Sequence, residues 1–128
     1  MTTVREIMST ELVTTEPTIT LMEAAVVMSK GEAGSALVYR EGQLAGIFTE
    51  RDILRALAHY PVADEARVAW VERWMTPDPV TIGPDATVGE ALDLMVSSGF
   101  RHLPVKDEGT VVGVISMRDL AESIAKDR

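Results

Sequence analysis

Gly46-Ile47-Phe48-Thr49-Glu50-Arg51-Asp52 returns at an offset of 67 residues as Gly113-Val114-Ile115-Ser116-Met117-Arg118-Asp119. In each copy an apolar run suited to a strand ends on a hydroxyl residue, and a carboxylate stands three positions later. That spacing is a capping box with Asp in place of Glu, so both stretches read as a strand running straight into a helix. The same offset carries the register outward without a gap. Val4 falls on Val71, Met8 on Met75, Val13-Thr14 on Val80-Thr81, Pro17 on Pro84, Thr20 on Thr87 and Glu23-Ala24 on Glu90-Ala91. Met28 then meets Met95, Val38 meets Val105, and Glu41-Gly42 meets Glu108-Gly109. In all, 15 of the 51 pairs from 4/71 to 54/121 are identical, where average residue usage gives roughly three by chance.

A period this long, present twice, suits neither a solenoid nor an array and reads as a duplicated subdomain. Residues 1–59 form the first repeat, 60–67 the linker and 68–128 the second repeat. Each repeat is near the lower size limit for folding alone, so the two are expected to share a core and a pseudo-two-fold axis.

Within each repeat the elements follow one order. Thr20 with Glu23, and Thr87 with Glu90, open helices whose apolar positions (Leu21, Ala24, Ala25, Met28; Val88, Ala91, Leu92, Met95) recur at helical spacing. Gly31 and Gly99 stand where those helices should stop. Two strands follow, at 35–39 and 44–48 and again at 102–106 and 111–115, joined by turns carrying Glu41-Gly42 and Glu108-Gly109. Second helices run over 50–59 and 117–126, and brief strands are expected at 13–15 and 80–82. A short lead-in helix opens each repeat, with Val4, Ile7 and Met8 in one and Val68, Val71, Trp74 and Met75 in the other. The expected class is α/β, an α+β sandwich in which each repeat packs a small sheet against two helices.

Composition narrows the function. The chain of 128 residues carries a formal charge of −8 and no cysteine. That balance disfavours a binder of nucleic acid, which needs Lys and Arg spread over a surface, although a few local arginines still permit a small anion. Without thiols, and with only His59 and His102 as imidazoles, no metal site is expected. No apolar run is long enough for a membrane span and the amino terminus does not read as a secretory signal, so a cytoplasmic location is expected.

The repeated motif admits two readings. The free N–H groups and positive dipole end of a helix start make an anion site, the carboxylate can accept both hydroxyls of a ribose diol, and the hydroxyl can donate to a phosphate or sugar oxygen. The same residues are equally the parts of an ordinary capping box. Repetition alone is compatible with either.

Taken together, Val-x-x-(Ile/Trp)-Met-(Ser/Thr) at the lead-in, the Thr-opened helix with Glu-Ala and Met, the hairpin and the closing Gly-x-x-(Thr/Ser)-x-x-Asp resemble the CBS domain, over residues 4–58 and 71–125. The resemblance implies a tandem CBS-domain pair with two clefts between the repeats for adenosine-containing ligands such as AMP, ADP, ATP or S-adenosylmethionine. These would serve as regulatory ligands rather than cofactors, and no catalytic residue is implied. By position, the ribose-binding acid falls on Asp119 in one cleft and Asp52 in the other, with Ser116 and Thr49 as the hydroxyls. The adenine positions of the Asp119 cleft are Thr10, Leu12, Gly34, Ser35, Ala36 and Val114. Those of the Asp52 cleft are Ile47, Pro77, Pro79, Val80, His102 and Leu103. Candidates for phosphate are Arg101, His102, Arg118 and Arg51, and since Gly34-Ser35 offers no charge where Arg101-His102 does, a polyphosphate should prefer the Asp119 cleft.

The other conspicuous residues have plainer roles. No Ser or Asp is tied to His102 by a catalytic motif, His59 reads as a surface cap near a helix end, and the methionines read as packing. Trp70 and Trp74, one helical turn apart, fit either a protein interface or packing of the lead-in helix. The resulting expectation is a regulatory module that senses an adenine nucleotide for an unidentified protein partner and forms a homodimer, without membrane or nucleic acid. The rival is a ligand-free dimerisation or docking module.

Overall fold

The computed structural model describes residues 1–126, so the last two residues of the expected second repeat, 127 and 128, lie outside the described residues. In chain order the elements are α1 (Val4–Ile7), β1 (Thr14–Thr15), α2 (Leu21–Lys30), β2 (Ser35–Arg40), β3 (Gln43–Thr49), α3 (Glu50–His59), α4 (Ala63–Arg67), α5 (Val71–Trp74), β4 (Thr76–Pro77), α6 (Val88–Ser98), β5 (His102–Asp107), β6 (Thr110–Ser116) and α7 (Met117–Lys126). The chain packs as two units: Val13–Pro79 forms one, and Met1–Leu12 joins the chain from Val80 onward to form the other.

In the Val13–Pro79 unit the sheet order is β1-β2-β3-β4. β1 lies parallel to β2 with Thr14 opposite Leu37, and β4 lies antiparallel to β3 with Thr76 opposite Ile47. The hairpin closes through Glu41 and Gly42, with φ of 51° and 77°. Two left-handed residues in a row match the twist of the flanking strands, which is why Gly takes one of the two places. Helix α2 opens on the expected capping box, in which Thr20 Oγ1 accepts from the Glu23 amide and Glu23 accepts from the Thr20 amide. Leu21, Ala24 and Met28 of α2, Ala36 and Val38 of β2, Phe48 of β3 and Ala56 of α3 fill the core together with Val71 of α5.

The second unit repeats this plan with a thinner sheet. β5 and β6 form a hairpin whose turn, Glu108 and Gly109, has φ of 49° and 84°. A bulge after Val105 matches the one after Val38. The expected strand at 80–82 is reduced to one parallel bridge, Ile82 to Val105, and Ser9 bridges Val114 where β4 meets β3 in the other unit. Its core joins Ala91 and Met95 of α6, Leu103 and Val105 of β5, Ile115 of β6 and Leu120 of α7 to Val4 of α1.

The described residues form two buried clusters, one in each unit. Two expectations change here. The lead-in helices are exchanged: α1 belongs with the second repeat's strands and helices, and α5 with the first repeat's. Backbone hydrogen bonds fix the exchange, from Val4 and Arg5 to the carbonyls of Ala86 and Pro84 at 2.8 and 2.9 Å, and from Val71 and Glu72 to those of Ile19 and Pro17 at 2.9 Å each. In addition, the stretch read as a linker contains helix α4, with Asp64 and Glu65 in its first turn, Arg67 in its last and Ala66 buried. Charges placed that way suit the helix dipole, and a buried alanine anchors the turn.

The glycine that opens the repeated motif makes the exchange possible. A Cβ on Gly113 would stand 2.9 Å from the Ser9 carbonyl oxygen and 2.5 Å from the Met8 sulfur. On Gly46 it would stand 2.7 Å from both the Thr76 carbonyl oxygen and the Met75 sulfur. A methionine can swing aside, whereas a paired backbone cannot. Gly113→Ala is expected to cost about 1–3 kcal/mol through overpacking, read as a lower urea midpoint. Gly83→Ala, with open space around it, should leave the midpoint nearly unchanged, and equal effects of the two would show that the close approach is unimportant.

Candidate functional site

Each strand-to-helix junction of the motif is a realised cap. At α3, the Thr49 amide donates to Asp52 Oδ2 at 2.9 Å, the Thr49 hydroxyl donates to the same oxygen at 3.2 Å, and the Asp52 amide donates back to Thr49 Oγ1 at 3.3 Å. The remaining oxygen, Oδ1, accepts from Arg55 at 3.2 Å. Both carboxylate oxygens and the hydroxyl proton of this pair are therefore in use. Asp52 is buried, and that burial raises its carboxyl pKa above the ordinary value, against the opposing hydrogen bonds from Thr49 and the charge of Arg55.

At α7 the same frame is less complete. The Ser116 amide donates to Asp119 Oδ2 at 2.8 Å, and the Asp119 amide donates to Ser116 Oγ at 3.1 Å. Among the described residues, Asp119 Oδ1 accepts no hydrogen bond and the Ser116 hydroxyl donates none. Asp119 is half-buried. The position equivalent to Arg55 holds Glu122, which pairs with Arg118 at 3.2 Å on an exposed helix face.

The other candidates divide between the two units. Thr10, Leu12, Val80, Arg101, His102, Leu103, Val114, Ser116, Arg118 and Asp119 share one unit, and Gly34, Ser35, Ala36, Ile47, Thr49, Arg51, Asp52, Pro77 and Pro79 share the other. In the first, the Ser9–Val114 bridge brings the segment leading to Thr10 and Leu12 alongside β6, and His102 pairs with Ser116 across the hairpin. The Met117 amide donates to the Arg101 carbonyl at 2.8 Å, which sets Arg101 at the start of α7. Its guanidinium is exposed and makes no ion pair among the described residues, whereas Arg118 is held by Glu122. In the second unit the matching bond runs from the Glu50 amide to the Gly34 carbonyl at 3.1 Å, and Ser35 faces Thr49 across β2 and β3. Ser35, Ala36 and Ile47 are buried there, and Pro77 is exposed.

The structure gives Arg55 a role that the sequence alone does not specify. Its guanidinium lies 5.7 Å from the centre of the Trp74 ring while reaching Asp52. Trp74 in turn donates to the Tyr60 hydroxyl at 3.4 Å and meets the edges of His59 and Tyr60, so it packs within its unit. Trp70 remains exposed. The readable signal was the charge reversal between Arg55 and Glu122 at aligned positions. A concavity of about 490 Å³ lies elsewhere, bounded by Met1, Thr2, Glu6, Thr87, Val88 and Gly89, and holds none of the motif residues. Among the described residues no group of three or more His, Asp or Glu could hold a metal, and no helix is long and apolar enough to cross a membrane.

Comparison with known proteins gives this arrangement a lineage. The family model for the CBS domain matches residues 4–59 and again 71–126. An uncharacterized 17.7 kDa protein of Acidianus ambivalens is 37% identical over 125 residues, covering 96% of this chain and 73% of its own. The chain spans only 14% and 43% of two further curated relatives. A CBS-domain containing protein of Agrobacterium tumefaciens superposes with a TM-score of 0.88 at 29% identity, covering 96% of this chain and 93% of its own. The CBS domain pair of protein MJ0100, solved in complex with 5′-methylthioadenosine and S-adenosyl-L-methionine, gives 0.87 at 28% identity, covering 99% and 98%.

The raised pKa of Asp52 sets a pH test. The folded state holds this proton more tightly than the unfolded chain, whose carboxyl titrates near 3.8. Its contribution therefore favours folding in acid and fades as pH rises through the carboxylate range to the folded pKa. Asp52→Asn does not titrate, so its stability relative to the parent should improve between pH 3 and pH 7 in urea denaturation. A relative stability that worsens with rising pH would show that the caps and Arg55 outweigh the burial of charge.

Proposed function

We propose that this chain, which belongs to the CBS domain family, is a regulatory module that binds an adenosine-containing ligand and reports its occupancy to a protein partner, without turnover. One observation carries the reading: at the start of α7, Asp119 keeps one carboxylate oxygen and Ser116 its hydroxyl proton uncommitted among the described residues. A carboxylate oxygen held in place by a capped helix is preorganised to accept from a ribose diol, and the neighbouring hydroxyl can donate to a sugar or phosphate oxygen. Arg101, beside the same helix start and in no ion pair among the described residues, supplies charge for a phosphate. The likeness to a domain pair solved with two adenosine derivatives supports the ligand class. In this reading Thr10, Leu12 and Val114 contact the adenine from the Asp119 side. The divide at 60–67 then separates two inherited sequence repeats, although the packing units are cut differently.

The module is further proposed to be cytoplasmic and to pair with a second copy. Leu54 on α3 is 67% exposed and Val96 on α6 is 71% exposed, and closed two-fold pairing is the commonest way to cover such apolar positions. A second reading has support of its own. Both Asp52 and Asp119 accept from cap amides, as purely structural residues would, and a ligand-free docking module would need nothing more.

Thermal denaturation separates the two. A ligand at 100 times its dissociation constant adds about 2.7 kcal/mol if it binds only the folded state, which raises the melting temperature on the order of 10 °C. AMP, ADP, ATP and S-adenosylmethionine are the probes, and Asp119→Ala should weaken whichever binds by at least tenfold. No shift with any of them at millimolar concentration would favour the docking module, and undiminished binding by Asp119→Ala would show that another group holds the sugar.

A further inference from the structure

We infer that Arg55 shuts the Asp52 site, so that the duplicated module takes its ligand at Asp119 alone. The inference rests on the ligand reading above and adds which of the two inherited sites is open, and why. The two sites share a backbone frame: a Thr or Ser cap, a carboxylate three residues on, and a helix amide bonded to the carbonyl of Gly34 or Arg101. They differ in what the carboxylate has left to offer.

At Asp52 both oxygens are engaged. Oδ2 takes the amide and hydroxyl of Thr49, and Oδ1 takes the guanidinium of Arg55. Arg55 is itself held from behind, because its cationic plane lies over Trp74 and Trp74 is fixed by Tyr60 and by the edge of His59. A cation over an aromatic face and against a carboxylate is attracted from both sides. The carboxylate is buried while Arg55 is exposed, so any diol that displaced Arg55 would have to break a charge-assisted bond to a desolvated carboxylate. At Asp119 the aligned residue is Glu122, which turns to Arg118 and donates nothing to the carboxylate. One charge reversal on the second turn of a helix thus closes one copy and leaves the other open.

Stoichiometry tests this directly. Titration calorimetry with AMP and with S-adenosylmethionine on the full chain should give one site per chain, with any second site at least tenfold weaker. Arg55→Met keeps an apolar side chain of similar reach and removes the donors, and it should gain a second site of affinity within about tenfold of the first. Arg55→Ala should do the same if the methionine stem itself obstructs the diol. Combined with Asp119→Ala, either variant should retain one site, now lost on adding Asp52→Ala. Two equal sites in the parent, or one site in both Arg55 variants, would overturn the lock while leaving ligand binding intact. No heat from any variant would remove the ligand reading and the lock with it.

Discussion

Everything positional in this molecule depends on a backbone crossing that only glycine permits. At Gly46 and Gly113 the segment following a lead-in helix runs against the exit strand so closely that a Cβ would stand under 3 Å from a carbonyl oxygen. Because that approach is open, Ser9 can bridge Val114 and Thr76 can pair with Ile47. Those pairings seat α1 and α5 in the cores of the units they join, through Val4 and Val71. They also carry Thr10 and Leu12 to the unit that contains Ser116 and Asp119. The motif glycine is thus a packing requirement first, and the site follows from the packing.

Duplication then supplied two copies of one frame that have diverged in what they leave unsatisfied. A capping carboxylate has two oxygens, and the cap needs one of them. What happens to the other depends on a residue one position short of the next full helical turn, close enough to reach back. Arg55 reaches back to Asp52 at 3.2 Å, and Glu122 does not reach Asp119. Capping and binding are therefore compatible uses of one side chain: a residue can hold the helix and still present an acceptor, provided no neighbour claims it.

Much of this was legible in the sequence because it is local. The caps at Thr20, Thr87, Thr49 and Ser116 are bonds between residues three apart, and the hairpins close over two residues that share left-handed φ, so residue type alone announces them. The family resemblance, resting on the same motifs, pointed to Asp52 and Asp119 together. Helix α4 was missed because the 60–67 stretch lacks an apolar stripe, and a single buried alanine at position 66 holds it in place.

The sequence by itself determined the repeat, the order of elements and the junctions where a carboxylate meets a helix start, since each is written in spacings of a few residues. Only the tertiary structure decided which unit each lead-in helix joins and which carboxylate keeps a free oxygen. The first is set by backbone pairing between residues about a hundred apart, as in Ser9 with Val114, where no local propensity distinguishes one partner from its duplicate. The second turns on whether Arg55 lies against Asp52, three residues away on the same helix, with its guanidinium over a tryptophan from another element that only packing brings there.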